Sequence, residues 1–545
     1  MKFKNIFNIF ILSSLAAAVT TGCADDLGNY DYSPINEVSV VGSDSDDVEE
    51  LVSGKTYNVV SHVDHLRFSP KLSSTFGITD DSNYEFEWRV VASGVETDKV
   101  DPEEIVVCRE RCIDIPVSLA ATTYNCFFNV KDRNTGVTWS TPFYLQVRSL
   151  TGEGWFVLCD DHGWSRIDII FNKDENEDII ARNILSGQEF DPGKPERLMF
   201  NYWRYGEEVA LLVTDKDTYI LDNSDLHVGE DNRLAWNFGI VPDKMRIKAS
   251  AKSLYAMRNL WVIIDDKDDI YTLDLKTSGS FFEYPVTKIN GTEPFTPAPF
   301  VGVNLNNNSW MDEMEDCNPA LLYDETNSQF LIITNTSNYP QVIEFSGTRL
   351  FENPTGGRRM VWMENTHSGV IKSVLRDPSN GETYYYGISL HAESIEGPNW
   401  WDDPEIMPYN KQAGYCRIIG PGVERAEKFT FHGLFPYVFY TVDNKIYQFN
   451  LGDPDVPAVE VLSFPGEEVA EMKFVPFVGW NPYQDWERQR EYDLVVGTNN
   501  MSLDESDRGI VRYYDVPNLM KPLSLKKEIK EFGHIKEIIY KERKR

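Results

Sequence analysis

The sequence predicts an all-β chain in two parts, an N-terminal immunoglobulin-like β-sandwich followed by a seven-bladed β-propeller. Two observations carry this. Residues 35–148 hold short strands that alternate apolar and polar with period two. From residue 150 to 545 a hairpin pattern recurs seven times, at intervals of roughly 45 to 65 residues. No long helical period competes with either. The chain, at 545 residues, exceeds one ordinary domain. Its hydrophobic content of 41% is enough for full cores, and its aromatic content of 13% is high. Tyr, Trp and Phe suit both pleated cores and ligand platforms. The formal net charge of −34 argues against nucleic acid, whose phosphates need Lys and Arg to displace counterions.

The first element lies before the folded parts. Lys2 and Lys4 make a short positive start, and Ile6 to Val19 an apolar run. The run fits a secretory signal and falls short of a membrane span. Thr20, Thr21 and Gly22 then lead to Cys23. This resembles a bacterial lipoprotein signal, in which the cysteine becomes the lipidated first residue. The motif's usual Leu three places before the cysteine is Thr20 here. An ordinary secretory signal with a chance cysteine is the plainer alternative. Lipidation would anchor the chain, since each buried methylene contributes about 0.8 kcal/mol. Residues 1–22 are therefore expected to be a signal peptide and 23–34 an acidic tether. Asp25 and Asp26 resemble the acidic export signal of surface lipoproteins in Bacteroidota-type bacteria. That resemblance implies an outer-membrane protein, lipid-anchored and facing outward.

The sandwich is expected over 35–148. "YEFEWRVV" (Tyr84 to Val91) sets Tyr84, Phe86 and Trp88 on one face and Glu85 and Glu87 on the other. "YNCFFNVKDRNTGVTWSTPFYLQV" (Tyr124 to Val147) reads as a hairpin turning at "DRNTG". A buried Trp with a late Tyr-x-Cys strand suits an immunoglobulin-like sandwich. With the lead-in "GNYDYSPINEVSV", these motifs resemble the PKD-like family of surface lipoproteins. The resemblance covers the leader and first domain best and the propeller more loosely. It implies an accessory to a TonB-dependent outer-membrane transporter of the starch-utilisation type and to that transporter's substrate-binding lipoprotein.

The propeller is expected over 150–545. "LLVTDKDTYILDN" (Leu211 to Asn223) and "WVIIDDKDDIYTLDL" (Trp261 to Leu275) show its unit most clearly, an apolar strand, an acidic turn and a second strand. "FLIITNTSNYPQVIEF" (Phe330 to Phe345) and "VFYTVDNKIYQFNL" (Val438 to Leu451) follow the same plan. Trp155 to Ile170, Ser373 to Leu390 and Tyr492 to Val516 are looser versions. A hairpin that cannot bury itself alone stacks on its neighbours as a blade. The alternative is an irregular two-layer β protein. In the basic tail, "HIKEIIY" (His534 to Tyr540) has strand character and is expected to close the ring, with the terminal "KERKR" exposed.

No catalytic motif is present, whether metalloprotease, nucleophile elbow, P-loop or EF-hand. No metal or cofactor is expected. The 8 histidines are few, and Cys108, Cys112, Cys126, Cys159, Cys317 and Cys416 lack zinc spacing. Only Cys108 and Cys112 are close enough in sequence to suggest a disulfide, and the pairing stays open. Acidic inter-strand turns read as loop chemistry before acid–base pairs. Three aromatic-rich stretches stand out as binding candidates. Asn306 to Pro319 carries Trp310, Glu396 to Asn410 carries Trp400, Trp401, Asp402 and Asp403, and Gly479 to Asp493 carries Trp480, Tyr483 and Trp486. Rings flanked by carboxylates and amides can stack on a sugar and bond its hydroxyls. Packing against their own blades is the plainer role for any one of them. The expected function is non-catalytic nutrient binding, with a glycan favoured over a peptide or siderophore. The runners-up are a propeller glycoside hydrolase or lyase, and a subunit that docks on the transporter without ligand.

Overall fold

The computed structural model describes residues 35–78, 80–94, 105–201, 209–222, 225–252, 260–274, 280–305, 319–334, 337–390, 392–395, 405–408, 410–477 and 484–542. Cys23 and the leader lie outside them. The chain divides into two compact units, residues 1–147 and 148–545.

In the first unit a five-stranded sheet runs Thr56–Val60, Thr138–Arg148, Thr123–Asp132, Tyr84–Ala92, Val106–Cys108. Two smaller pairs accompany it, Val38–Ser43 with Pro70–Ser74 and His65–Phe68 with Ile113–Pro116. The period-two pattern has its expected physical result: Tyr84, Phe86, Trp88 and Val90 are buried while Glu85 is exposed. Trp88 is the centre of this core. Its ring lies parallel to Phe68 at 5.8 Å and tilted on Phe128 at 4.3 Å. Its indole N–H donates to the Glu110 carbonyl at 2.9 Å, which satisfies the one polar atom the core encloses with it. The hairpin turns at Asp132, whose carboxylate accepts from the Asn134 and Thr135 amides at 2.8 and 3.3 Å. Cys108 and Cys112 are unbridged.

The second unit is a ring of seven sheets, antiparallel apart from one short parallel pair in the fifth, with two further two-stranded pairs among the described residues. We number them as blades in chain order. Blade 1 runs from its outer edge inward as Asp178–Ala181, Trp164–Asn172, Gly154–Asp161 and then His534–Lys541, from the far end of the chain. The other inner strands are Pro195–Asn201 in blade 2, Ile247–Lys252 in blade 3, Gly302–Val303 in blade 4, Arg359–Asn365 in blade 5, Phe429–Phe431 in blade 6 and Glu467–Lys473 in blade 7. Each inner strand lies against that of the next blade, and Glu467–Lys473 returns to His534–Lys541. The circle is thus closed by strand pairing between the unit's beginning and its end, so blade 1 draws its inner strand from the far side of the sequence.

The hydrophobic cores lie between blades. Leu211, Ile247, Trp261 and Ile263 join blades 2 and 3, and Leu260, Val262, Leu322 and Leu331 join blades 3 and 4. Trp155, Val157, Val511, Ile535 and Ile538 pack where blades 1 and 7 meet. A second strand buried on both sides becomes a continuous apolar run, as in Trp155 to Cys159 and Leu260 to Ile264. Where the chain enters blade 1, Gly154 has φ of 126°, and a Cβ there would stand 2.6 Å from the Ile170 carbonyl oxygen, so only glycine fits. One expectation fails at the tail. Lys541 and Glu542 are buried, because the closing strand carries them inward, and the Lys541 ammonium donates to the Thr151 carbonyl at 3.0 Å.

Strand alternation gives the ring two distinct faces. Connections from first to second and from third to fourth strands emerge on one, here the front. Those from second to third strands emerge on the back. The acidic turns between second and third strands lie on the back face, and their carboxylates serve the turns. Asp265 accepts from the Lys267 and Asp269 amides at 2.9 and 2.8 Å. Asp160 accepts from Gly163 at 2.8 Å, and Asp377 from Ser379 at 2.8 Å.

Candidate ligand-binding face

The three aromatic stretches share a face. Asn306 to Pro319 follows the inner strand of blade 4 and precedes its second. Gly479 to Asp493 has the same place in blade 7, and Glu396 to Asn410 joins the third and fourth strands of blade 5. The described strand ends on either side of all three are front-face ends. In blade 5, Ala392–Ile395 pairs with Glu405–Pro408 as a hairpin, and the intervening residues include Trp400, Trp401, Asp402 and Asp403. Those four, with Trp310, Trp480 and Tyr483, lie outside the described residues. Trp486 is described. It sits half-buried on the short helix Asp485–Gln489, donates its indole N–H to the Gln484 side chain at 2.8 Å, and has the Arg490 guanidinium 5.4 Å from its ring centre.

Around the axis, the front-face ends of the inner strands form a collar of polar side chains that no sequence motif marks: Asn201, Lys252, His432, Lys473 and Lys541. Two sectors matter chemically. In blades 5 and 6, His432 is fully buried. Its Nδ1 accepts from the Leu434 and Phe435 amides, both at 3.1 Å, so the ring proton sits on Nε2, which is buried without a partner. Burial, then the nearby Lys372 and His367, push this imidazole down to about 3, so it is neutral. Lys372 donates to the His432 carbonyl at 3.3 Å, and burial lowers its affinity for a proton. His367 is also lowered by burial, which Glu491 opposes. Deeper in the channel, Glu364 accepts from the Thr430 hydroxyl and the Phe431 amide at 3.2 Å each, and burial raises its pKa.

The second sector is the seam of blades 2 and 3. The Trp261 indole donates to the Ser250 hydroxyl at 2.8 Å, and Ser250 donates to Asn201 Oδ1 at 3.0 Å. The Lys252 ammonium lies 4.2 Å over the Trp261 ring. Burial pushes Lys252 down to about 8, with no carboxylate to oppose it.

The back face offers a cleft of about 410 Å³ at blade 1, with Trp164 on its lip at 58% exposure. Its charges already answer one another. Arg166 is held by Asp168 at 2.8 and 2.9 Å and by the Ser506 and Glu531 carbonyls, and Asp161 is met by Ser506 and His162. Among the described residues no group of three His, Cys, Asp or Glu is placed to hold a metal ion.

Residues 23–194 match the model of the PKD-like family. The match takes in the sandwich and runs on through the three leading strands of blade 1. No curated protein matches the chain significantly. Among solved structures, it is similar to a quinonprotein alcohol dehydrogenase-like protein from Bacteroides thetaiotaomicron, at 11% identity over 90% of this chain and 97% of that one, with a TM-score of 0.38. A nidogen/laminin complex matches at 10% identity over 63% and 97%, with a TM-score of 0.28. The WD40 domain of SCAP from fission yeast matches at 10% over 62% and 72%, with a TM-score of 0.26. The seven-bladed ring rests on the chain's own strand pairing.

Asn201, Ser250, Lys252, Lys372, His367 and His432 escape sequence reasoning. Each is a single polar residue at or near the end of a short strand, with no spacing to betray it, and only the closed ring gathers them.

Proposed function

We propose that the chain is a cell-surface lipoprotein, anchored through Cys23, that binds a nutrient glycan as a non-catalytic accessory to a TonB-dependent outer-membrane uptake system. The observation that carries the binding part is topological. Three aromatic- and acid-rich stretches, far apart in sequence, begin and end at strand termini on a single face of the ring, around a collar of hydrogen-bond donors. Aromatic faces with flanking amides and carboxylates are the groups that hold a sugar ring. The leader, the PKD-like first unit and the acidic tether support the anchored, outward-facing part. Retention of the folded chain in affinity gels containing single polysaccharides is the direct test. At least one glycan should slow the chain, and Trp400→Ala with Trp401→Ala should weaken that binding about tenfold or more, the usual scale for a buried aromatic anchor. A folded chain that no glycan retains, but that a peptide library does, would replace the glycan with a peptide.

A further inference from the structure

The seam of blades 2 and 3 ends in two hydrogen-bond donors with no acceptor among the described residues. The polar chain there has a direction. Trp261 can only donate, so Ser250 accepts from it and must send its own proton onward, to Asn201 Oδ1. Turning the amide over would strand the Ser250 proton. The order leaves Asn201 Nδ2 at the end of the chain, in a residue only 2% exposed, with no partner. Ser250 and Lys252 stand two residues apart on one strand and project to the same side. Both meet Trp261, one through its N–H and the other over its ring. Lys252 is 5% exposed and has no ion pair or hydrogen bond among the described residues.

A buried ammonium without a counter-ion and a buried amide donor without an acceptor are each costly. The chain has 86 acidic side chains and uses them to pair cations elsewhere, as Asp191 pairs Lys216 at 2.7 Å. Among the described residues none is placed here. The missing group is therefore an acceptor, and its charge is negative. A carboxylate supplies two oxygens, one for the ammonium and one for the amide, in charge-assisted bonds. Asn201 and Lys252 close the front-face ends of their strands, the face proposed above for the ligand.

We infer that this seam is a carboxylate-binding subsite and that the glycan taken by the front face carries uronic acid groups. The inference rests on the glycan reading above and narrows it. The Trp261 face is covered by Lys252, so this indole shapes the pocket wall and is not a stacking platform.

The test compares oligogalacturonate with its methyl ester, which keeps the sugar backbone and masks the carboxylates, by titration calorimetry on the full chain. The acid should bind at least tenfold more tightly than the ester. Lys252→Met and Asn201→Asp should each abolish the difference. The second variant places a carboxylate beside Lys252 and so satisfies the ammonium internally. It is expected to fold at least as well as the parent, which keeps the test decisive if the first variant fails to fold. Equal binding of acid and ester overturns the subsite and leaves the glycan reading standing. So does a preference that survives both substitutions. Poly-glutamate binding more tightly than oligogalacturonate, through Lys252, assigns the seam to an acidic peptide and overturns the uronate. No binding of any glycan, charged or neutral, removes the wider reading as well.

Discussion

At the scale of single residues, Lys252 shows how a site can oppose its own fold. Its pKa of about 8 lies below the ordinary 10.5, and burial is the cause. Between those values the unfolded chain holds a proton that the folded chain has released. Stability therefore rises with pH from about 8 to 10.5, and the contribution is missing below that window. The shift amounts to about 3 kcal/mol withheld at pH 7. Lys252→Met should recover much of it. Urea unfolding at pH 7 should show the variant more stable by roughly 2 to 3 kcal/mol, and at pH 10.5 the gap should shrink. A variant less stable than the parent at pH 7 would mean that the ammonium has a partner after all. His432 differs from Lys252 in kind. Its imidazole stays neutral across the physiological range and uses Nδ1 to fix the connection after Phe431, which makes it a structural residue with one spare donor.

At the scale of elements, the back-face hairpins show why an acidic chain need not be a catalytic one. Asp324 is fully buried at the turn between Ala320–Asp324 and Gln329–Ile333. It accepts from the Thr326 and Asn327 amides at 2.8 and 3.1 Å and from the Asn327 and Gln329 side chains at 2.7 and 3.1 Å. Asp324→Ala leaves those donors buried and unmet, so it should cost about 2 to 4 kcal/mol, read by urea unfolding. An exposed acidic turn residue such as Asp507, changed in the same way, should move stability by less than about 0.5 kcal/mol. The hairpins were legible in the sequence for the same physical reason. Second and third strands are covered on both sides, so they become apolar runs broken by a turn residue, as at Leu260 to Asp265 and Ile270 to Asp274. The inner strands were not legible. Gly302–Val303 and Phe429–Phe431 are only two and three residues long, and much of their packing is against the inner strands of the neighbouring blades. The candidate site divides along the same line. Its aromatic stretches announce themselves by composition. Asn201 and Lys252 sit 51 positions apart, and neither carries meaning until Pro195–Asn201 and Ile247–Lys252 lie side by side.

At the scale of the molecule, everything on the front face depends on closure, and closure depends on one strand. His534–Lys541 pairs with Gly154–Asp161 from Gly154↔Lys541 to Asp160↔His534, and buries Ile535, Ile538 and Tyr540 almost completely. Around this seam the charges are also shared between the ends of the ring, with Tyr540 donating to Glu153 at 3.0 Å and Arg166 to the Ser506 carbonyl at 2.8 Å. Removing the strand exposes the whole inner edge of Gly154–Asp161 and leaves an open, self-pairing rim. It also withdraws three large side chains, each worth about 2 to 5 kcal/mol in a packed core. That loss rivals the total stability of an ordinary domain, roughly 5 to 15 kcal/mol. A chain ending at Gly533 should therefore lose the ring's cooperative unfolding transition and aggregate, while the first unit, which has its own core around Trp88, keeps its near-ultraviolet signal. Adding a peptide of residues 534–545 in trans should restore the transition in proportion to its concentration. If the shortened chain unfolds at the parent's urea midpoint with no peptide added, the ring is held by its inter-blade cores alone, and the strand from the end of the chain is only an ornament to it.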